Sequence, residues 1–222
     1  MKIMIKKLVT AAFFLCFFGV MGSLFGAFEN QPTYSKAALL SPYTQVKAGD
    51  TLTLGFSLTP IKGWHSYWKN PGDSGAPTRL KWEVPKGVTV GDLQWPLPER
   101  IPAGPLVNYG YHDETLLLIP VTVDADYASD LIPIRVIANW LVCEDVCVPQ
   151  KAVLTLTLKV GPETLRSQET WLESALKKMP TLVTTSVSVS AVDARTVRLS
   201  LATLDPKNSQ TALFFPDGSV PI

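Results

Sequence analysis

Thr51-Leu-Thr-Leu-Gly-Phe-Ser-Leu58 places an apolar side chain at every second position: Leu52, Leu54, Phe56 and Leu58. Successive side chains of a strand point to opposite faces, so a period of two predicts a strand with one face in a core. The signature recurs along the chain. Arg79-Leu-Lys-Trp-Glu-Val84 carries Leu80, Trp82 and Val84; residues 134–140 and 153–160 follow, the latter with Leu154, Leu156, Leu158 and Val160 on one face. Residues 116–123 form a more continuous apolar run. Turn-forming segments separate these strands: Asn70-Pro-Gly-Asp73, Pro85-Lys-Gly87 and the span from Pro96 to Pro105. Short strands punctuated by Gly and Pro, with no helical period between them, predict an all-β fold, an antiparallel β-sandwich over residues 28–160.

Beyond residue 160 the pattern changes. Gly161-Pro162 precedes a stretch, residues 163–179, in which Leu165, Leu172, Leu176 and Met179 fall near one helical face. Glu163 stands at its start and Lys177 and Lys178 at its end, matching the helix dipole, and Pro180 stops it. This predicts a short helical connector over residues 161–180. Val187 and Val189, then Val197, Leu199 and Leu201, alternate again, so a second β unit starts within residues 181–222. It has too few strands to close a core, and the chain is expected to be a fragment of a longer protein or a truncated one.

The amino terminus has a different role. Lys2, Lys6 and Lys7 precede an apolar run from Leu8 to Val20, and small residues follow at Gly22, Ser23, Gly26 and Ala27. Residues 1–27 therefore read as a secretory signal peptide, cleaved near Gly26 or Ala27. Its removal takes away three lysines and Cys16 and leaves seventeen basic residues against nineteen acidic ones. There is no basic patch, which argues against nucleic acid as a partner.

The mature chain then holds two cysteines, Cys143 and Cys147, in Trp140-Leu-Val-Cys-Glu-Asp-Val-Cys-Val-Pro149. In an oxidising compartment two cysteines are expected to pair. A continuous strand would hold them about 13 Å apart, so pairing requires a turn at Glu144-Asp145-Val146, with Pro149 expected to end the ladder. Three readings stay open. As a structural staple, a bridge over so short a loop contributes about 2 kcal/mol or less. As a redox pair, it is flanked by Glu144 and Asp145, whose charges disfavour a thiolate and so restrict reaction to a docked partner. As a soft-metal site, two thiolates with His65, His112 or a Met would hold Cu(I), though neither histidine has a zinc-ligand spacing from the cysteines. The sequence has no Gly-rich phosphate loop, no nucleophile elbow and no Cys-x-x-Cys of the thioredoxin kind.

Four motifs occur together: Trp64-His-Ser-Tyr-Trp-Lys-Asn-Pro-Gly-Asp-Ser-Gly75, Trp95-Pro-Leu-Pro-Glu-Arg100, Asn108-Tyr-Gly-Tyr111 and the cysteine segment. In this order they resemble the periplasmic N-terminal region of the DsbD-type disulfide reductases, most closely the ScsB branch linked to copper tolerance, over residues 40–222. The resemblance implies an immunoglobulin-like sandwich whose cysteine pair is reduced by a membrane-embedded domain. That pair in turn reduces periplasmic thioredoxin-fold proteins, among them disulfide isomerases and cytochrome c maturation thioredoxins. The chemistry is thiolate attack through a mixed disulfide and calls for no cofactor or metal. By position Cys147 matches the cysteine that engages the partner and Cys143 the one that resolves. The family shields its cysteines with an aromatic loop, which falls here on Val107–Tyr111. Its Phe is replaced by Asn108, so Tyr109 or Tyr111 is expected to form the cap. The cysteines are separated by three residues, against five in the DsbD branch.

Overall fold

The strand read at Thr51 lies inside a sheet, paired on both edges. The computed structural model describes residues 33–168, 170–181, 186–193, 196–201 and 215–216. The signal peptide expected at residues 1–27 lies outside the described residues, as does most of the chain after residue 201. Eleven strands precede the helix region: β1 (Ser35–Leu40), β2 (Tyr43–Gln45), β3 (Thr51–Pro60), β4 (Ser66–Gly72), β5 (Arg79–Glu83), β6 (Val88–Val90), β7 (Glu99–Ala103), β8 (Leu106–Tyr111), β9 (Thr115–Val123), β10 (Leu131–Cys143) and β11 (Cys147–Lys159). They are followed by β12 (Leu165–Arg166), the helix α1 (Trp171–Lys178) and the hairpin of β13 (Val187–Ala191) and β14 (Val197–Leu201).

One layer is the sheet β1-β3-β9-β6, and the other is β11-β10-β5. All pairings in both are antiparallel. The core lies between them. Leu52, Leu54, Phe56 and Leu58 of β3 and Leu117, Ile119, Val121 and Val123 of β9 face Ile132, Ile134, Ala138, Trp140 and Val142 of β10. The alternation in the sequence is therefore the inner face of a sandwich, and the fold is all-β and immunoglobulin-like.

The continuous apolar run of β9 has a separate cause. Leu118 points away from the sandwich core, and it is buried with Leu172 and Ala175 of α1. The helix thus covers the outer face of β3 and β9. Gly55 of β3 leaves room for it: a Cβ there would stand 2.7 Å from the Trp171 ring. The helix occupies only the second half of the stretch whose charges suggest one. Upstream, Leu165–Arg166 pairs with β2, and Thr164 Oγ1 accepts from Lys47 N (2.8 Å) and donates to Asp50 Oδ2 (2.7 Å). Tertiary hydrogen bonds to an open strand edge outweigh the weak preference of these few residues for helix.

A third ribbon, β4-β8-β7, is built from segments that read as loops, rich in Gly and Pro. It joins the sandwich end-on through an antiparallel bridge between His65 and Cys143, at the end of β10. Among the described residues no helix is long and apolar enough to cross a membrane.

Candidate thiol–disulfide site

The cysteines close the longest hairpin among the described residues. β10 and β11 pair residue for residue from Leu131 with Lys159 to Cys143 with Cys147. Glu144, Asp145 and Val146 form the turn, in which Glu144 N donates to Val146 O (3.2 Å). Cys143 uses both backbone groups on the other side: its N donates to His65 O (3.0 Å), and its O accepts from His65 N (2.9 Å). Cys143 and Cys147 are therefore a non-hydrogen-bonded cross-strand pair, the type in which Cα atoms approach to about 4.5 Å. The observed Cα–Cα separation is 4.1 Å, and the sulfurs form a disulfide. The turn expected at residues 144–146 is present. Pro149, however, does not end the ladder. It lies inside β11 opposite Leu141, in the same kind of pair as the cysteines. β11 is an edge strand, and Pro149 directs its nitrogen to the free side, where no N–H is needed.

The two sulfurs differ in access. Cys143 is 2% exposed, whereas Cys147 and the whole Glu144–Val146 turn are exposed. The disulfide therefore presents one sulfur outward and keeps the other against the body of the domain. Glu144 folds back over the turn before β4. A Cβ on Gly63 (φ +91°) would meet its Oε1 at 2.7 Å; the positive φ favours glycine here, and a side chain would push the carboxylate aside.

Paired residues of neighbouring strands share a face, so the side chain of His65 lies on the Cys143 side, and Tyr67, two residues on, does too. The Tyr67 hydroxyl lies 3.5 Å from Cys147 Sγ. The ring is buried, and burial raises the hydroxyl's pKa, so it stays protonated and donates to sulfur. Gly75 (φ +91°) holds the other side of this ring: a Cβ there would fall 2.2 Å from Tyr67 Cε1. The motif running from Trp64 to Gly75 thus seats one tyrosine against one sulfur. Gly75→Ala should displace that ring and strain the backbone, lowering stability by about 1–3 kcal/mol in urea unfolding of the oxidised protein. Tyr67→Phe should keep the fold and remove the donor. Hydrogen bonds to charged groups are worth about 1.5–3 kcal/mol, so the Cys147 thiol pKa should rise by about one unit in the reduced protein, as read by iodoacetamide reactivity against pH.

The tyrosines of the Asn108-Tyr-Gly-Tyr111 motif stand elsewhere. The Tyr109 ring meets Trp68 at 6.4 Å and Phe215 at 5.3 Å, and Phe215 lies 6.1 Å from Trp68. Trp68 follows Tyr67 on β4 and so points to the opposite face. Tyr111 is buried and donates its hydroxyl to Pro96 O (2.8 Å). The tyrosine brought to a sulfur is Tyr67, from the Trp64–Gly75 motif. The motif's glycine has a direct part: Gly110 pairs with Tyr67, and its hydrogen lies against the Ser66 carbonyl, with no room for a Cβ.

The histidines also gather here. His65 and His112 have ring centroids 5.7 Å apart, and His65 lies 5.1 Å from the Tyr67 ring. His112 Nδ1 is 2.9 Å from Glu99 Oε2 in an exposed pair. Burial, and then the neighbouring His112, hold the pKa of His65 below its ordinary value. Among the described residues no three His, Cys, Asp or Glu side chains form a group that could hold a metal ion.

An immunoglobulin-like sandwich with a disulfide at a hairpin tip has a counterpart among known families. Residues 36–159, more than half of the chain, match the family model of the thiol:disulfide interchange protein DsbD, N-terminal. The chain belongs to the DsbD N-terminal family. As a member, it is a thiol–disulfide exchange domain carrying a cysteine pair. A search of curated proteins found no match. Among solved structures, the N-terminal periplasmic domain of ScsB from Proteus mirabilis is similar at 22% identity and a TM-score of 0.48, covering 71% of this chain. This chain spans 56% of that domain's length. The reduced DsbD N-terminal domain of Neisseria meningitidis is similar at 14% identity and a TM-score of 0.35, covering 60% of this chain and 90% of that one.

Proposed function

We propose that this DsbD N-terminal-family domain is a periplasmic electron relay. Cys143 and Cys147 take a pair of electrons from a membrane-embedded reductase domain and pass it to a thioredoxin-fold protein. The observation that carries the reading is the asymmetric disulfide, one sulfur exposed at a hairpin tip and its partner buried behind it. Exchange needs one sulfur that a docked protein can reach and one that a second protein cannot attack. Glu144 and Asp145 beside the exposed sulfur restrain its reaction with small thiols. The sequence motifs favour the ScsB branch, and thus a dedicated thioredoxin-fold partner.

A purely structural disulfide is less consistent with the hairpin. The bond joins residues only four apart, so it removes little entropy from the unfolded chain. Alkylation mass spectrometry across a glutathione redox series tests the proposal. The Cys143–Cys147 bond should open within the range of periplasmic and cytosolic thiol poise, on the order of −120 to −300 mV. A bond still intact under stronger reduction would mark it as a staple.

A further inference from the structure

The residue paired with the buried Cys143 is a histidine with an unused nitrogen. His65 Nε2 is buried and has no hydrogen-bond partner. A buried polar atom left unpaired costs about 1–3 kcal/mol, so its retention requires an explanation. The backbone of His65 is fixed by two hydrogen bonds to Cys143, and paired residues share a face, which puts its side chain on the same face as that cysteine. Cys143 itself is 2% exposed. Burial away from water favours the neutral thiol over the thiolate, so this is the sulfur that most needs a base once the disulfide has been reduced.

We propose that His65 is the proton acceptor for Cys143 in the step that resolves the mixed disulfide, an inference that rests on the relay reading above. Cys147 thiolate has attacked the partner's disulfide and is joined to one partner sulfur. The Cys143 thiol gives its proton to His65 Nε2, and the resulting thiolate attacks Cys147 Sγ. The Cys143–Cys147 bond forms as the bond from Cys147 to the partner breaks, and the electron pair leaves on the partner sulfur. The two cysteines are oxidised by two electrons and the partner's disulfide is reduced by two. The imidazolium returns its proton to solvent on the side of His112, which is exposed and paired with Glu99. The titratable groups near His65 are Tyr67 on its own strand, His112 after β8 and Glu99 beyond His112; the Glu144 carboxylate lies against Gly63, two residues before His65 in sequence.

The test uses the reduced full chain in excess over a nitrobenzoate disulfide, whose thiolate product is coloured. The first release reports attack by Cys147, and the second reports resolution by Cys143. In His65→Gln the first release should stay within about twofold, while the second slows by about tenfold or more at neutral pH, a modest share of what a general base contributes. The slowed phase should recover as pH rises into the thiol range. In the unaltered protein the second phase should already be at a plateau below that range. Equal slowing of both phases, or no slowing, overturns the proposal. If His65→Gln does not fold, the unaltered protein decides alone: a second phase that climbs through the thiol range with no earlier plateau overturns it. A chain that releases no second thiolate at all overturns the relay reading as well. A normal second release that is indifferent to His65→Gln removes only the role of His65.

Discussion

Cys143→Ser protein should accumulate a mixed disulfide with a thioredoxin-fold substrate through Cys147, whereas Cys147→Ser should accumulate almost none. The asymmetry follows from access. A mixed disulfide requires in-line approach of a thiolate to the partner's sulfur, and only Cys147 projects from the hairpin tip into solvent. Cys143 has its backbone locked to His65 and its side chain buried, so it can reach Cys147 but not a protein-borne disulfide. Both variants should lose turnover on the order of a thousandfold or more, the scale of loss when a covalent nucleophile is removed. Non-reducing electrophoresis and mass spectrometry of the trapped species separate the two outcomes. Trapping only through Cys143, in the Cys147→Ser protein, would reverse the order of attack, and equal trapping in both variants would remove the asymmetry.

Trp140→Ala should have the largest effect on stability. Trp140 sits on β10, three residues before Cys143, with its side chain in the sandwich core. Its ring meets Phe56 edge-on at 6.2 Å, and its Nε1 donates to the buried Ser35 Oγ at 2.8 Å. The substitution removes a large aromatic from a close-packed layer and strands a buried hydroxyl. Loss of about 3–5 kcal/mol is expected, measured by urea unfolding of the oxidised protein. Trp140→Phe separates the two contributions. It keeps most of the ring packing and leaves Ser35 without its donor, and should cost about 1–3 kcal/mol. If both variants are equally destabilised, the hydrogen bond dominates; if Trp140→Phe is neutral, packing accounts for the whole effect. Because the same strand ends in Cys143, Trp140→Ala should also make the disulfide easier to reduce in the glutathione series.

The sandwich was legible because the strands of its β11-β10-β5 sheet each carry one wet and one drier face. In β10 every second residue from Ile132 to Val142 is buried, and that regularity survives in the sequence as a period of two. The ribbon β4-β8-β7 was not legible, since its segments carry Asn70-Pro-Gly72 and Pro102 and are irregular in pairing. Alternation says that Tyr67 and Trp68 face opposite ways, but it does not say which one meets the sulfur. The expected aromatic cap drew attention to Tyr109 and Tyr111, one of which joins Trp68 and Phe215 and the other of which donates to Pro96. Phe215 reaches that cluster from more than a hundred residues away, and no local pattern marks it.

By itself the sequence determined the all-β class, the turn required between the two cysteines and the motifs of a DsbD N-terminal-family domain. These are local properties: a period, a spacing and an ordered set of short segments. Only the tertiary structure decided which sulfur is exposed, that Tyr67 meets Cys147, and that His65 stands at Cys143 with a nitrogen unpaired. Each of these depends on the register by which β4 meets the end of β10. That register is fixed by the packing of distant strands against one core, and a one-residue slip would turn a different set of side chains toward the disulfide.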